Sequence, residues 1–228
     1  MRRAASLYFE DAMTFPDRGL YAITDGPRKD PVAAAAAALA GGARLLQYRD
    51  KSADVARRLD EVRALKRLCD AHEVPLIVND DIALAKATDA AGVHLGEHDA
   101  DPVAARAVLG PRAIIGVSCY DSLERARAAV AAGASYVAFG AFFASPTKPQ
   151  ARRATLDLLR HTATLGVPRV AIGGITLDNA PRLIEAGADY LAVISALFGA
   201  ADVTATARRF AGLYAPSFPG KLVDDEQP

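Results

Sequence analysis

The sequence is poor in the residues that would indicate a disulfide-bonded, zinc-binding or nucleic-acid-binding protein. It has only two cysteines, Cys69 and Cys119, and their spacing fits neither a disulfide framework nor a zinc site. Its 27 basic and 27 acidic residues give a formal net charge of zero, so no basic excess favours nucleic acid or an anionic membrane surface. Any anion-binding site must therefore be a local cluster of charge.

Long apolar runs are also missing. The alanine-rich stretch 32–40 is too short to span a bilayer and better fits a small-residue helix packed on a sheet. The first residues, Met-Arg-Arg-Ala-Ala-Ser, precede Tyr-Phe-Glu-Asp rather than the apolar core of a signal peptide. We therefore expect a cytoplasmic protein whose partners are small molecules, not nucleic acid or membranes. A homodimer is an assembly that the sequence leaves open.

Strand-type and helix-type segments alternate along most of the chain. Eight apolar runs are typical of buried strands, and each precedes a segment of helical character. This pattern predicts an α/β fold, a single (β/α)8 TIM barrel over residues 19–214, with an N-terminal extension (1–18) and a loosely ordered tail (215–228). The predicted strands cover 19–25, 43–50, 75–80, 93–96, 114–118, 136–141, 169–173 and 190–195. The predicted helices cover 31–40, 52–72, 81–90, 101–109, 122–132, 155–164, 178–186 and 201–214.

A weak internal repeat supports the barrel. Similar Ala-Gly segments precede four of the predicted strands and contain Gly42, Gly92, Gly133 and Gly187. We expect each of these glycines to end a helix in the left-handed conformation, which glycine adopts without Cβ strain. They are expected to be structural rather than functional.

The end of the second strand carries an unusual set of polar residues. Side chains alternate between the faces of a strand, so Gln47, Arg49 and Lys51 share one face and Leu46 and Tyr48 the other. One face therefore presents an amide and two cations over about 13 Å. This arrangement predicts a site for a polyanionic ligand, although a solvated strand end would have a similar composition.

Two aspartates follow neighbouring strands and suit a metal ion. Asp80 and Asp99 offer hard oxygen ligands, which Mg²⁺ prefers together with water and phosphate oxygens. The alternative is helix capping, in which Asp80 or Asp81 begins one helix and Asp99 or Asp101 the next. His94 is expected to lie in the core or behind the site, because along a strand it would be about 13 Å from His98 and could not share a zinc ion with it.

Three further strand ends complete the same rim of the predicted barrel. After strand six, Ser145 and Thr147 offer hydroxyl groups and Lys148 a mobile charge suited to phosphate. Gly173-Gly174 and Ile194-Ser195 follow strands seven and eight, where barrels often bind phosphate through backbone N–H groups. The alternative interpretation is an ordinary Pro-containing turn and close-packing glycines, but the position of the strand-six loop opposite Arg49 and Lys51 favours a functional role.

Taken in order, these motifs resemble the thiamine-phosphate synthase family from Gly19 to about Val203. The matching segments are Gly-Leu-Tyr-Ala-Ile-Thr-Asp, Gln-Tyr-Arg-Asp-Lys, Val-Asn-Asp, Gly-Val-His-Leu-Gly, Ile-Gly-Val-Ser, Ser-Pro-Thr-Lys, Ala-Ile-Gly-Gly-Ile and Val-Ile-Ser. Each segment alone is common, but the ordered set is specific. The resemblance implies a transferase that joins an amino-substituted hydroxymethylpyrimidine diphosphate to a thiazole phosphate, forming thiamine phosphate and releasing pyrophosphate.

The resemblance also implies roles for individual residues. Mg²⁺ would be bound by Asp80 and Asp99, and Arg49, Lys51 and Lys148 would stabilise the charge that grows on the leaving pyrophosphate. The residues implied to hold the pyrimidine diphosphate are Gln47, Tyr48, Arg49, Asp50, Lys51, Asn79, Ser118 and Lys148. Those implied to hold the thiazole phosphate are Ser145, Pro146, Thr147, Gly174, Ile194 and Ser195.

The chain departs from the family pattern at three places, and two other functions remain open. Ala144-Ser145 replaces Pro-Thr, Glu97 stands in place of glutamine, and Cys119 follows Ser118 in place of histidine or a small polar residue. None of these changes removes a cation or a metal ligand. The alternatives are a thiazole tautomerase on the same barrel, which would not need the diphosphate site, and a non-catalytic phosphate sensor. We expect no Ser-His-Asp or Cys-His catalytic set.

Overall fold

The computed structural model describes residues 15–144 and 152–215, and its strands form one closed barrel. All eight strands run parallel and pair in chain order, with the last closing on the first. The predicted (β/α)8 barrel is therefore confirmed. The strands are β1 Gly19–Ile23, β2 Leu45–Tyr48, β3 Leu76–Asn79, β4 Gly92–Leu95, β5 Ile114–Tyr120, β6 Tyr136–Phe139, β7 Arg169–Ile172 and β8 Tyr190–Val193.

A helix follows each strand, and the predicted helices all have counterparts. The helices are α1 Pro31–Ala40, α2 Val55–Ala71, α3 Ile82–Ala87, α4 Pro102–Leu109, α5 Leu123–Ala131, α6 Leu156–His161, α7 Ala180–Glu185, α8 Ser195–Phe198 and α9 Val203–Gly212. The short α8 was not predicted, because the last strand was extended to residue 195. In the parts of the chain described here, no helix is long and apolar enough to cross a membrane.

Most of the helices begin at a side chain that accepts a hydrogen bond from the first turn. Asp81 caps α3 through the Leu84 N–H at 2.8 Å, and Asp101 caps α4 through the Ala104 N–H at 2.8 Å. These two hydrogen bonds show which aspartates cap α3 and α4. Asp80 and Asp99 are not the caps.

The barrel packs two apolar layers, one on each face of its sheet. Leu20, Leu46 and Val78 belong to the layer between the strands and the surrounding helices. The inward side chains form a second cluster, in which Tyr21 and Tyr136 are among the largest buried groups. The barrel interior is therefore filled with side chains and is not a pore.

The glycines of the internal repeat do not all serve the predicted purpose. Gly42, Gly133 and Gly187 have φ values of 94°, 88° and 102°, as expected of helix ends. The prediction for Gly92 was wrong, because it is the first residue of β4 and a Cβ atom there would lie 1.7 Å from the Ile114 carbonyl oxygen. Gly92 is required by the close approach of two strands.

Gly92→Ala should lower the free energy of unfolding by at least about 3 kcal/mol, because the new methyl group meets backbone that cannot move without disrupting β5. Chemical denaturation of the purified variant measures the loss. Gly133→Ala is the matched control: no heavy atom lies within 4 Å of its added Cβ, so only about 1 kcal/mol of backbone strain is expected. Equal losses in the two variants would contradict the strand-contact explanation.

Candidate functional site

The carboxyl ends of β2 to β5 bring most of the predicted polar residues to one rim of the barrel. Adjacent strands pair in register, so Asn79 at the end of β3 lies beside His94 of β4. Lys51 and Asp80, which follow β2 and β3, form an ion pair with Nζ and Oδ2 3.4 Å apart. The rim is where TIM barrels place their chemistry.

Asp80 and Asp99 lie side by side at this rim. Burial raises the pKa of Asp80, and the hydrogen bond and negative charge of the Asp99 carboxyl raise it further, whereas Lys51 lowers it. Asp99 is held in place by the Gly96 N–H, which donates to Oδ2 at 2.6 Å. Asp80 also has a φ of 63°, a strained conformation for a residue with a side chain.

The aspartate pair fits a magnesium ion. A divalent cation held by both carboxylates would offset the negative charge that raises the pKa of Asp80, and Asp81 and Asp101 already satisfy the neighbouring helix ends. Within residues 15–144 and 152–215, no group of three or more acidic, cysteine or histidine side chains could hold a metal ion. Two protein carboxylates, with the remaining positions for water and phosphate, are characteristic of Mg²⁺ rather than of a structural zinc site.

Arg49 is held at the rim by the segment that follows β1. The Thr24 hydroxyl accepts a hydrogen bond from the Arg49 N–H at 2.8 Å, and the Gly26 N–H donates to the Arg49 carbonyl at 2.9 Å. The Arg49 side chain is half-buried, and no carboxylate in the described segments forms an ion pair with it. Its charge is thus available to a ligand. The buried Thr24 had no predicted role, and a lone threonine at a strand end gives little signal.

Tyr48 and Asp50 face away from this group. The Tyr48 hydroxyl donates to Glu61 of α2 at 2.7 Å, outside the barrel. Asp50 is buried and accepts from the Arg57 guanidinium at 2.7 Å and from the Ser52 N–H at 2.7 Å. Burial would raise the pKa of Asp50, but these hydrogen bonds outweigh it and lower the pKa. The geometry gives both residues structural partners on α2 and its preceding loop.

A chain of hydrogen bonds crosses the barrel interior from Gln47 to Ser118. Gln47 Nε2 donates to the Tyr21 hydroxyl at 2.8 Å, which lies 2.8 Å from the Tyr136 hydroxyl. Tyr136 is 2.9 Å from His94 Nδ1, and His94 Nε2 is 2.8 Å from Ser118 Oγ. The two ends of this hydrogen-bond chain are residues predicted to hold the pyrimidine diphosphate, and no sequence pattern connects them.

His94 is a core residue, as the sequence indicated. Burial lowers its pKa from 6.5 to about 4, against the opposing effect of the Asp99 charge. Its Nε2 lies 2.8 Å from the hydroxyl oxygen of a serine, Ser118. Its Nδ1 faces the Tyr136 hydroxyl and not a carboxylate, so the third member of a catalytic triad is missing at this histidine.

Folding should become less favourable as His94 is forced to take a proton. Its folded pKa of about 4 lies below the unfolded value of 6.5, so its contribution is complete above pH 6.5 and is lost as pH falls toward 4. Between those limits the wild type should lose up to about 3 kcal/mol more stability than His94→Gln. Urea unfolding across this pH range, with the exposed His161→Gln as control, measures the difference. Parallel curves for the wild type and His94→Gln would contradict the prediction.

The ends of β7 and β8 are only partly free for a ligand. Gly174 has a φ of 64°, and a Cβ atom there would lie 2.5 Å from the Ala144 carbonyl oxygen, so its size is required by loop packing. Ile194 packs on the interior cluster, and Ser195 is the exposed first residue of α8. The other predicted thiazole-phosphate residues and the predicted lysine lie outside the described residues: Ser145, Pro146, Thr147 and Lys148.

Glu97, one of the departures from the family pattern, has a partner that sequence reasoning missed. Arg152 Nη2 donates to Glu97 Oε2 at 2.6 Å, and its guanidinium lies 4.2 Å from the centre of the Tyr120 ring. The Arg152 carbonyl accepts from the Ala141 N–H at 2.9 Å. The ion pair therefore links the loop after β4 to the loop after β6, across 55 residues of sequence that give no pairing signal.

The chain is similar to known proteins over most of its length. Residues 20–197 match the family described as thiamine monophosphate synthase. A thiamine-phosphate synthase of Chromobacterium violaceum is 58% identical over 198 residues, covering 86% of this chain and 96% of the relative. One of an Azoarcus species is also 58% identical, over 201 residues, covering 87% of this chain and 98% of the relative.

A solved structure has the same fold and a related sequence. Thiamine phosphate pyrophosphorylase from Pyrococcus furiosus superposes with a TM-score of 0.79 at 36% identity, covering 86% of this chain and 94% of that one. A 3-hexulose-6-phosphate synthase superposes with a TM-score of 0.63 at 19% identity, which shows a shared barrel alone. With its ordered rim residues, its barrel and its matched relatives, the chain belongs to the thiamine monophosphate synthase family of transferases.

Proposed function

We propose that the protein forms thiamine phosphate from an amino-substituted hydroxymethylpyrimidine diphosphate and a thiazole phosphate, with release of pyrophosphate. The observation that carries this proposal is the cluster of Asp80, Asp99 and Lys51 at the rim, together with Arg49 two residues before Lys51, whose guanidinium forms no ion pair in the described part of the chain. Cations and carboxylates in one place suit a metal-bound diphosphate better than a single phosphate ester.

Asp80 and Asp99 would hold Mg²⁺, which when bound neutralises negative charge on diphosphate oxygens. Arg49 and Lys51 bind the same diphosphate from β2 and stabilise the charge that grows as it leaves. Lys148 is proposed to do so from the loop after β6. Preorganised charges of this kind are usually the largest contribution to catalysis.

The reaction needs no protein nucleophile. The bond between the pyrimidine methylene carbon and the diphosphate oxygen breaks with its electron pair going to pyrophosphate, and the amino-substituted ring delocalises the positive charge left behind. The thiazole nitrogen then donates its lone pair to that carbon and becomes a thiazolium. The protein's main tasks are to hold the two substrates together and to stabilise the leaving group.

The two substrates are proposed to occupy opposite sides of the rim. Gln47, Asn79 and Ser118 lie with Arg49 and Lys51 near β2 to β5, where the pyrimidine diphosphate would bind. Gly174, Ile194 and Ser195 lie near β7 and β8 and, with Ser145, Pro146 and Thr147, are proposed to bind the thiazole phosphate through backbone N–H and hydroxyl groups. With the substrates bound in this way, the thiazole nitrogen would lie between the two sites.

The proposal is tested by incubating the purified protein with both substrates and Mg²⁺ and measuring pyrophosphate and thiamine phosphate. Both products should appear in equal amounts, and omission of either substrate should abolish them. Isomerisation of a thiazole phosphate without any coupling would instead identify a tautomerase. Binding of both substrates without turnover would identify a sensor.

A further inference from the structure

We infer that the hydrogen-bond chain through the barrel interior has a direction, and that this direction sets the donor and acceptor roles of Gln47 and Ser118 toward the pyrimidine ring. Tyr21, Tyr136 and His94 are then positioning residues for the proposed reaction, on which the substrate part of this inference rests. The chain is built from buried groups: Tyr21, Gln47, Tyr136 and His94 are 1%, 2%, 0% and 9% exposed.

The direction follows from the orientation of the Gln47 amide, whose nitrogen faces Tyr21, together with a count of the protons. Gln47 Nε2 can only donate, so the Tyr21 hydroxyl accepts from it and gives its single proton to Tyr136. Tyr136 must then donate to His94 Nδ1. A neutral imidazole that accepts at Nδ1 carries its proton on Nε2, so His94 donates to Ser118.

Each end of the chain is left with one defined role. The Ser118 hydroxyl accepts from His94 and so keeps its own proton for a ligand. The Gln47 amide turns its nitrogen inward, and within the described residues no group donates to its Oε1, which remains an acceptor. The site therefore accepts a hydrogen bond at Gln47 and donates one at Ser118.

This polarity suits an aminopyrimidine. Its exocyclic amino group donates and its ring nitrogens accept, which matches Gln47 and Ser118 respectively. Turning the Gln47 amide around would reverse all the bonds along the chain and leave Ser118 without a proton for the ligand. Because each tyrosine, the neutral His94 and Ser118 have one proton to give, intermediate arrangements leave a buried group unpaired, which costs free energy. Gln47 and Ser118, which lie on different strands, thus act together to select an aminopyrimidine ring.

The direction can be measured without substrate, by ¹⁵N NMR of the histidine side chains. His94 should show a single tautomer with its proton on Nε2, whereas the exposed His72, His98 and His161 should average between tautomers. In Gln47→Glu, examined at rising pH until the spectrum stops changing, the ionised carboxylate can only accept. His94 should then carry its proton on Nδ1. In the Tyr136→Phe background, Gln47→Glu should no longer change the tautomer.

A wild-type His94 protonated on Nδ1, or a tautomer that does not respond to Gln47→Glu, would overturn the inference. These outcomes are independent of turnover, so they stand even if the proposed reaction is wrong. Since Gln47→Glu places a carboxyl group in the core and could unfold the protein, a second measurement uses a milder change.

Tyr136→Phe keeps the ring and removes only the hydroxyl that connects the two halves of the hydrogen-bond chain. It should lower, by about 10-fold, the preference in kcat/KM for the aminopyrimidine diphosphate over the analogue with a ring carbonyl in place of the amino group. The KM for thiazole phosphate should change less than about twofold. Tyr190→Phe is the matched control, because Tyr190 also lies in the barrel interior but is not part of the hydrogen-bond chain. Its hydroxyl donates to the Pro16 carbonyl. An unchanged preference in Tyr136→Phe would overturn the inference.

Discussion

Asp80→Asn and Asp99→Asn should each lower kcat/KM at saturating Mg²⁺ by at least about 100-fold, and the double variant should be close to inactive. The physical reason is that the two carboxylates lie next to each other. Burial and the adjacent Asp99 charge raise the pKa of Asp80, a cost to folding that a bound cation would offset. Each asparagine keeps the size of the side chain while removing one negative charge and one strong oxygen ligand.

The controls for this experiment lie one and two residues along the same loops. Asp81→Asn and Asp101→Asn alter the caps of α3 and α4, where asparagine caps nearly as well as aspartate, so activity and the Mg²⁺ requirement should be retained. Mg²⁺ binding by calorimetry in the presence of pyrophosphate should be lost in the Asp80 and Asp99 variants alone. Full activity of the Asp80→Asn, Asp99→Asn double variant would show that these residues hold no essential metal.

Sequence alone could predict the barrel and the strand ends because these follow from repeated local patterns. Alternation along β2 correctly directs Gln47 into the barrel and Tyr48 out of it, as the contacts with Tyr21 and Glu61 show. The polar residues after β2, β3 and β4 then meet at one rim for topological reasons. Strand and helix boundaries differ by only a few residues.

Sequence could not decide contacts between elements far apart in the chain. Asp80 and Asp81 are equivalent by composition, and only the backbone geometry makes Asp81 the cap and gives Asp80 its positive φ. The Tyr21–Tyr136 bond spans 115 residues, and either tyrosine would pass for an ordinary core residue. Gly92 was assigned to a helix end because its Ala-Gly context is the same as that of Gly133, although it serves a strand contact.

The second large effect is expected at Arg49. Arg49→Ala should lower kcat/KM for the pyrimidine diphosphate by about 100- to 1,000-fold, with little change in the KM for thiazole phosphate. The guanidinium is half-buried, and in the described residues no carboxylate competes for it. Its charge and planar set of donors are therefore available for diphosphate oxygens.

Two further variants separate the charge of Arg49 from its placement. Arg49→Lys keeps the charge but loses the fork of donors, and Thr24→Val keeps the guanidinium but removes the hydroxyl that accepts from the Arg49 N–H at 2.8 Å. For both variants, kcat/KM for the pyrimidine diphosphate should lie between the values of the wild type and Arg49→Ala. Arg44→Ala, just before β2 and at the opposite end of the barrel, should leave both KM values unchanged. If Arg49→Ala behaves like Arg44→Ala, the diphosphate does not bind at the end of β2. If Arg49→Ala instead lowers kcat/KM equally for both substrates, the two halves of the product do not have separate sites.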